Sequence, residues 1–344
     1  MSGSPRADRR DEGVWTRRRV LRDGVAVAGI GILVAVRCAP SVGARPKIPT
    51  VGFVSPLPPD QEEFLRPFRA LGYVDGLSVR IEARTAVQSE TPAQLTPVIE
   101  ELIRLPADVI VAAGSTAAQA ARGATTTIPV VFFGVADAIA LGLVTSLARP
   151  AGNVTGLTNF SAKAVGKGLE YLLQLVPGIA RVAFVGNLGG NPGSLLQLAA
   201  AKATAGTMGV EMIDFALRDA ADIDPVFASF SDRGIKAVMV GSDGITTQNR
   251  QRLVEIAARY RLPTIYARRE FADAGGLIAY GPSYPALWER LAVLVDKIVR
   301  GSPPGDLPVE QPTRFDLVVN SKTARSLGIT IPQTILVQAT DVVQ

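Results

Sequence analysis

The 344-residue chain has no histidine and a single cysteine, Cys38. Without histidine it lacks the commonest general base and the commonest metal ligand. Ser-His-Asp hydrolysis, Cys-His proteolysis and histidine-ligated zinc are excluded together. Aromatic residues are scarce, at 6% against 47% hydrophobic. The core must therefore be built from Ala, Val, Leu and Ile, the usual material of parallel sheets covered by helices. The apolar run Gly24–Val36 is too short for the roughly 20 residues that cross a bilayer.

That run belongs to an ordered set of export features. Thr16-Arg17-Arg18-Arg19-Val20-Leu21-Arg22 precedes it, and Val42-Gly43-Ala44 follows it with small residues at a peptidase-type exit. A basic region, a short apolar region and a small-residue exit read as a removable signal over residues 1–44. The arginine pair resembles a twin-arginine signal and implies a periplasmic destination. A lipid-anchored form would keep Cys38, but that reading needs a small residue before it, where Arg37 stands. The segment carries eight of the chain's bases and four of its acids. Its removal lowers the net charge from +5 to +1, so the basic character is mostly the signal's. Nothing in the remainder suggests the clustered basic face that nucleic acid requires. About three hundred residues remain, enough for two domains.

Short β-branched runs alternate with helical patterns. Strands are expected at Thr50–Val54, Ser78–Glu82, Val109–Ala112 and Val130–Phe133, with helices at Glu62–Leu71, Thr91–Leu105 and Thr116–Arg122 between them. Leu95, Val98, Ile99, Leu102 and Ile103 form one stripe at helical spacing. The chain turns at Pro150-Ala151-Gly152-Asn153 and the alternation restarts. Strands are expected at Val182–Val185, Val210–Asp214, Ala237–Val240, Thr264–Tyr266 and Gly276–Tyr280. The helices of this half are Ala164–Leu175, Ser194–Met208, Pro225–Arg233, Thr247–Tyr260 and Pro285–Arg300. Phe315–Asn320 and Ser321–Leu327 close the chain as strand and helix. The reading is an α/β protein of two similar lobes with parallel sheets.

Ligands of open parallel sheets sit beyond the carboxyl ends of the strands. The polar residues found there are Ser55, Ser115, Thr116, Asp137, Asn187, Asp243 and Arg269. Ser115 and Thr116 open a helix, where free N–H groups and hydroxyls suit a carboxylate. Asp137 could meet an ammonium, so the set would suit an amino acid. Each could equally be a helix cap. Arg268-Arg269 could hold a carboxylate or be an exposed pair. Gly186-Asn187-Leu188-Gly189-Gly190-Asn191 occupies a phosphate-loop position but lacks the spacing of a nucleotide loop.

The chain resembles the ABC-transporter substrate-binding proteins, in the group that includes tryptophan- and other aromatic-amino-acid-binding members. Leu71-Gly72-Tyr73, Ile128-Pro129-Val130-Val131-Phe132, Leu143–Pro150 with Gly152-Asn153-Val154-Thr155-Gly156, Tyr280-Gly281-Pro282 and Leu307–Pro312 carry the resemblance, in order. It implies a type I periplasmic-binding fold, two Rossmann-like lobes joined by three crossings. Lobe one would be 45–155 and 281–310, and lobe two 156–280 and 311–344. The crossings would fall near Thr155-Gly156, Tyr280-Gly281 and Gln311-Pro312. The expected function is capture of a small organic solute, an amino acid or related carboxylate, by hinge closure on the seven strand-end residues. The partner would be an inner-membrane permease, the receptor a monomer, and neither cofactor nor chemistry would be involved. Two departures stand out. Ala136-Asp137-Ala138 replaces a common Gly-Asp-Pro, and Gly186-Asn187-Leu188 replaces an aromatic-Asn-Pro, which weakens ring stacking. The competing expectations are a receptor feeding a sensor or chemoreceptor, and an exported hydrolase using carboxylates such as Asp137 and Asp243.

Overall fold

The computed structural model describes residues 48–55, 61–85, 91–159 and 161–344. The export signal and Cys38 lie outside the described residues. The chain runs β1 (Thr50–Ser55), α1 (Gln61–Ala70), β2 (Arg80–Thr85), α2 (Pro92–Arg104), β3 (Val109–Ala113), α3 (Ser115–Ala124), β4 (Val130–Val135) and β5 (Val154–Thr158). It continues as α4 (Ser161–Leu175), β6 (Arg181–Gly186), α5 (Pro192–Thr207), β7 (Glu211–Ala216), α6 (Ile223–Ala228), β8 (Ala237–Val240), α7 (Gly244–Gln248) and α8 (Arg250–Arg259). The remainder is β9 (Thr264–Tyr266), α9 (Arg269–Asp273), β10 (Ile278–Pro282), α10 (Tyr284–Val299), β11 (Phe315–Asn320), α11 (Ser321–Leu327), α12 (Gln333–Gln338) and β12 (Asp341–Val343).

Two sheets result. The first has the order β2-β1-β3-β4-β5 and the second β12-β11-β10-β9-β8-β6-β7. Read from β7, the second sheet repeats the 2-1-3-4-5 order of the first before β11 and β12 extend it. All pairings are parallel except β10 with β11, where Tyr280 faces Leu317. In this order the strand direction of travel reverses between β1 and β3, and again between β6 and β8. Those two switch points are where the crevices of doubly wound sheets open.

Local sequence explains the elements. Leu95, Ile99 and Leu102 put one apolar stripe of α2 into the core, and Pro92 starts that helix where its missing N–H costs nothing. Asn191 caps α5 by accepting the N–H groups of Gly193 and Ser194. Each sheet is covered on both faces. Phe53, Phe68 and Leu291 fill one side of the first sheet, and Ile99, Leu102 and Phe132 the other. Leu169, Leu172 and Phe184, then Phe227, Phe230 and Leu253, do the same for the second. Each such side chain contributes about 1.5–3 kcal/mol by leaving water.

β5 departs from the expectation. Residues 154–158 form the edge strand of the first sheet rather than a link out of it, with Gly156 opposite Phe132. A β-carbon at 156 would collide with the Phe132 backbone carbonyl. Gly281 is constrained in the same way against the Ala267 carbonyl. The first passage to the second sheet therefore comes after Thr158. The second comes after Pro282, where α10 turns back to pack on α1 and on β3, β4 and β5. The third runs from Glu310, bridged to Leu157, into β11. Among the described residues no helix is long and apolar enough to cross a membrane.

Candidate functional site

The carboxyl ends of the two sheets face a shared gap, which narrows to contact where α3 meets α5. Ser115, at the first position of α3, is buried. Its hydroxyl accepts the Ala136 N–H at 3.3 Å, joining the ends of β3 and β4. Across the gap, a β-carbon at Gly193 would stand 2.6 Å from the Ser115 oxygen. Ser55 and Thr116 are also buried. These three residues mark the switch point of the first sheet.

Asp243 and Asn187 mark that of the second, but they face each other. The Asp243 carboxylate accepts the Asn187 N–H at 2.8 Å, the Ser194 hydroxyl at 3.2 Å and the Thr246 N–H at 2.9 Å. The Asn187 side chain accepts the Gly190 N–H. Asp243 thus ties β6, α5 and α7 together. Burial pushes its carboxyl above the usual range, outweighing these donors. All three donors come from the second sheet's own elements, so they hold this carboxylate in place at the sheet's switch point.

Two other expected residues lie elsewhere. Asp137 is exposed, and its carboxylate accepts the Ile139 and Ala140 N–H groups at 2.9 and 3.0 Å. That is the capping alternative, satisfied within one turn. Arg269 is exposed and bonds Asp273 and Asp341. The inward cation is its neighbour. Arg268 has an extended backbone (φ −133°, ψ 138°) as the residue before α9, so the two side chains diverge. Its guanidinium lies 3.7 Å from the Tyr284 ring centroid and bonds Glu270 at 2.5 Å. Burial opposes both charges. The neighbouring Tyr284 and Glu270 nevertheless hold Arg268 above the ordinary guanidinium value, and Arg268 holds Glu270 below the carboxylate range.

Tyr284 also lines a cavity against the ends of β8, β9 and β10, together with Asn159, Val165, Ser242, Tyr266 and Tyr280. Its free volume is about 20 Å³, room for a water molecule. Behind it the rings continue, with Trp288 stacked on Phe133 at 3.9 Å. At the end of β5, Thr158 Oγ1 is buried with no hydrogen-bond partner among the described residues, as is Trp288 Nε1. An unpaired buried hydroxyl costs about 1–3 kcal/mol unless something bonds it. The sequence offered a weak signal for Arg268 through the Arg pair, and none for Tyr284, which sits in a different sheet's helix. Among the described residues there is no cluster of three or more acidic, cysteine or histidine side chains to hold a metal.

A family model described as ABC transporter substrate binding protein matches residues 62–343. A tyrosine-binding protein of Clostridioides difficile (strain R20291) is 24% identical over 266 residues, covering 77% of this chain and 75% of that one. A conserved domain protein from Vibrio cholerae superposes with a TM-score of 0.79 at 25% identity, over 86% of this chain and 100% of the other. An ABC domain from Streptococcus pneumonia in complex with L-Trp gives 0.76 at 23% identity, over 86% and 99%. The architecture is that of the type I periplasmic-binding structures, two α/β lobes around a crevice. Matched over most of its length, the chain belongs to the ABC transporter substrate-binding protein family, whose members bind solutes rather than transform them.

Proposed function

We propose that this protein captures an aromatic amino acid or a related aromatic carboxylate between its two lobes and delivers it to the permease of an ABC importer, working in the periplasm as a monomer after export by its twin-arginine-like signal. Lobe one would comprise 48–158 and 283–310, and lobe two 161–282 and 311–344. The observation that carries the reading is Arg268, a half-buried guanidinium held on the face of Tyr284 beside a cavity lined by three tyrosines. The cation suits a carboxylate, and the rings suit an aromatic body. The names of the tyrosine-binding relative and of the L-Trp complex support the same class. A cavity of about 20 Å³ is far below the ~300 Å³ of a ligand pocket. Capture therefore requires the lobes to part and then close about the three connections.

The test is calorimetric titration of the protein with L-tyrosine, L-tryptophan and phenylacetate. Saturable binding of at least one, weakened by Arg268→Gln, supports the reading. Binding of none, with binding of a non-aromatic solute instead, would replace the ligand class. Binding that ignores Arg268→Gln would place the ligand elsewhere.

A further inference from the structure

A second cavity lies where the connections between the sheets converge, and it shares no lining residue with the first. It has about 230 Å³ of free volume, against about 20 Å³ in the first. Its walls are the first two turns of α10, the stretch Glu310–Arg314 and Leu157 of β5. The Ser283 N–H donates to the Arg314 carbonyl at 3.0 Å, which fixes the third connection against the start of α10.

Four charges line this cavity, and they are not equivalent. Arg290 Nε and Nη2 each bond a Glu310 oxygen at 2.7 Å. That two-pronged pair uses both groups. Glu289 and Arg314 line the same space, yet neither forms an ion pair among the described residues. Both are exposed, so they stand at the mouth of the cavity, and two opposite charges that line one cavity without meeting leave a gap for a molecule carrying both. The same lining includes the apolar Leu157, Leu287 and Pro312.

We propose that this cavity is a second binding site, for a small zwitterion of the ω-amino-acid kind. Its carboxylate meets the Arg314 guanidinium, a two-pronged match of planar groups. Its ammonium meets Glu289, and its short methylene spacer lies on Leu157 and Leu287. Glu289 stands on α10 and Arg314 on the third connection, so the spacer lets one molecule reach both, which distinguishes this class from α-amino acids.

The experiment is calorimetric titration of the protein with β-alanine, γ-aminobutyrate and δ-aminovalerate, repeated on Glu289→Gln, Arg314→Gln and Arg268→Gln. The expected result is saturable millimolar or tighter binding of at least one probe. Each of the first two changes weakens it by about tenfold or more, while Arg268→Gln leaves it within about twofold. No saturable heat from any of the three probes overturns the proposal. So does binding that survives both Glu289→Gln and Arg314→Gln. Binding lost on Arg268→Gln also overturns it, since that places the probe in the interlobe cavity. The reading of the interlobe cavity is tested separately with aromatic ligands, so either can fail alone.

Discussion

Gly193 at the start of α5 lies against the Ser115 hydroxyl at the start of α3, so closely that a β-carbon at 193 would stand 2.6 Å from that oxygen and 3.1 Å from the Ser115 β-carbon. The two helices belong to different sheets, and the missing side chain is what lets them touch. Gly193→Ala should therefore hold the lobes apart. Small-angle scattering should show a larger radius of gyration for the variant, even though alanine favours the helix itself by up to about 1 kcal/mol over glycine. Ser115→Gly placed in the same chain should restore the original radius, because it removes the atoms that the new methyl meets. An unchanged radius in Gly193→Ala would show that the contact does not set the lobe angle.

Arg268 and Arg269 should separate cleanly by function. Arg268→Gln removes a half-buried cation beside the interlobe cavity and should weaken an aromatic amino acid by about 2 kcal/mol or more, roughly thirtyfold. Arg269→Gln removes exposed pairs to Asp273 and Asp341 and should leave affinity unchanged, with stability lower by about 0.5 kcal/mol at most. Titration calorimetry and urea melts on the two variants check this. Equal losses of affinity would mean that the helix start, not the Arg268 cation, positions the ligand.

That one-residue distinction shows where sequence reading ends. The β-branched runs and helical stripes place nearly all strands and long helices, because both periodicities are local. β5 escapes, since Pro150 and Gly152 read as a turn and its Gly156 weakens a strand pattern. Only the approach of the Phe132 carbonyl explains that glycine. α7 and α9, five residues each, are too short to show a helical period. The site is harder still. Whether Arg268 or Arg269 points inward depends on where α9 begins, and Tyr284 meets Arg268 only because α10 returns to the first sheet. Asp243 looks like a ligand residue in the sequence, because its donors, Asn187 and Ser194, lie about fifty residues away.

Asp137 and Asp243 should differ in what they support. Asp137→Ala removes a cap on an exposed turn and should cost about 1 kcal/mol of stability without changing ligand affinity. Asp243→Ala leaves the Asn187 and Thr246 N–H groups buried without their acceptor and should cost about 3 kcal/mol. Urea denaturation gives both values. A clear loss of ligand affinity in Asp137→Ala, in a variant that still folds, would return that carboxylate to the binding site.

Asp222 and Asp243 should tilt the acid stability of the protein in opposite directions. The Asp222 carboxylate takes the Nε, Nη2 and backbone N–H donors of Arg218, which draw its pKa down to about 2. Between there and the unfolded value near 4, the native state binds fewer protons than the unfolded chain. The stability this group supplies is therefore complete above about pH 4 and lost as the pH falls toward 2. Arg218 is largely exposed, so water screens the interaction and the contribution is at most about 1 kcal/mol. Asp243 is the reverse case. Burial raises its pKa, so the native state keeps a proton that the unfolded chain gives up, and its contribution declines as the pH rises above the unfolded value. Urea midpoints measured from pH 3 to pH 7 should show the wild-type advantage over Asp222→Asn shrinking toward the acid end. The advantage over Asp243→Ala should grow over the same range. Parallel curves for the two variants would mean that neither carboxylate changes its proton affinity on folding.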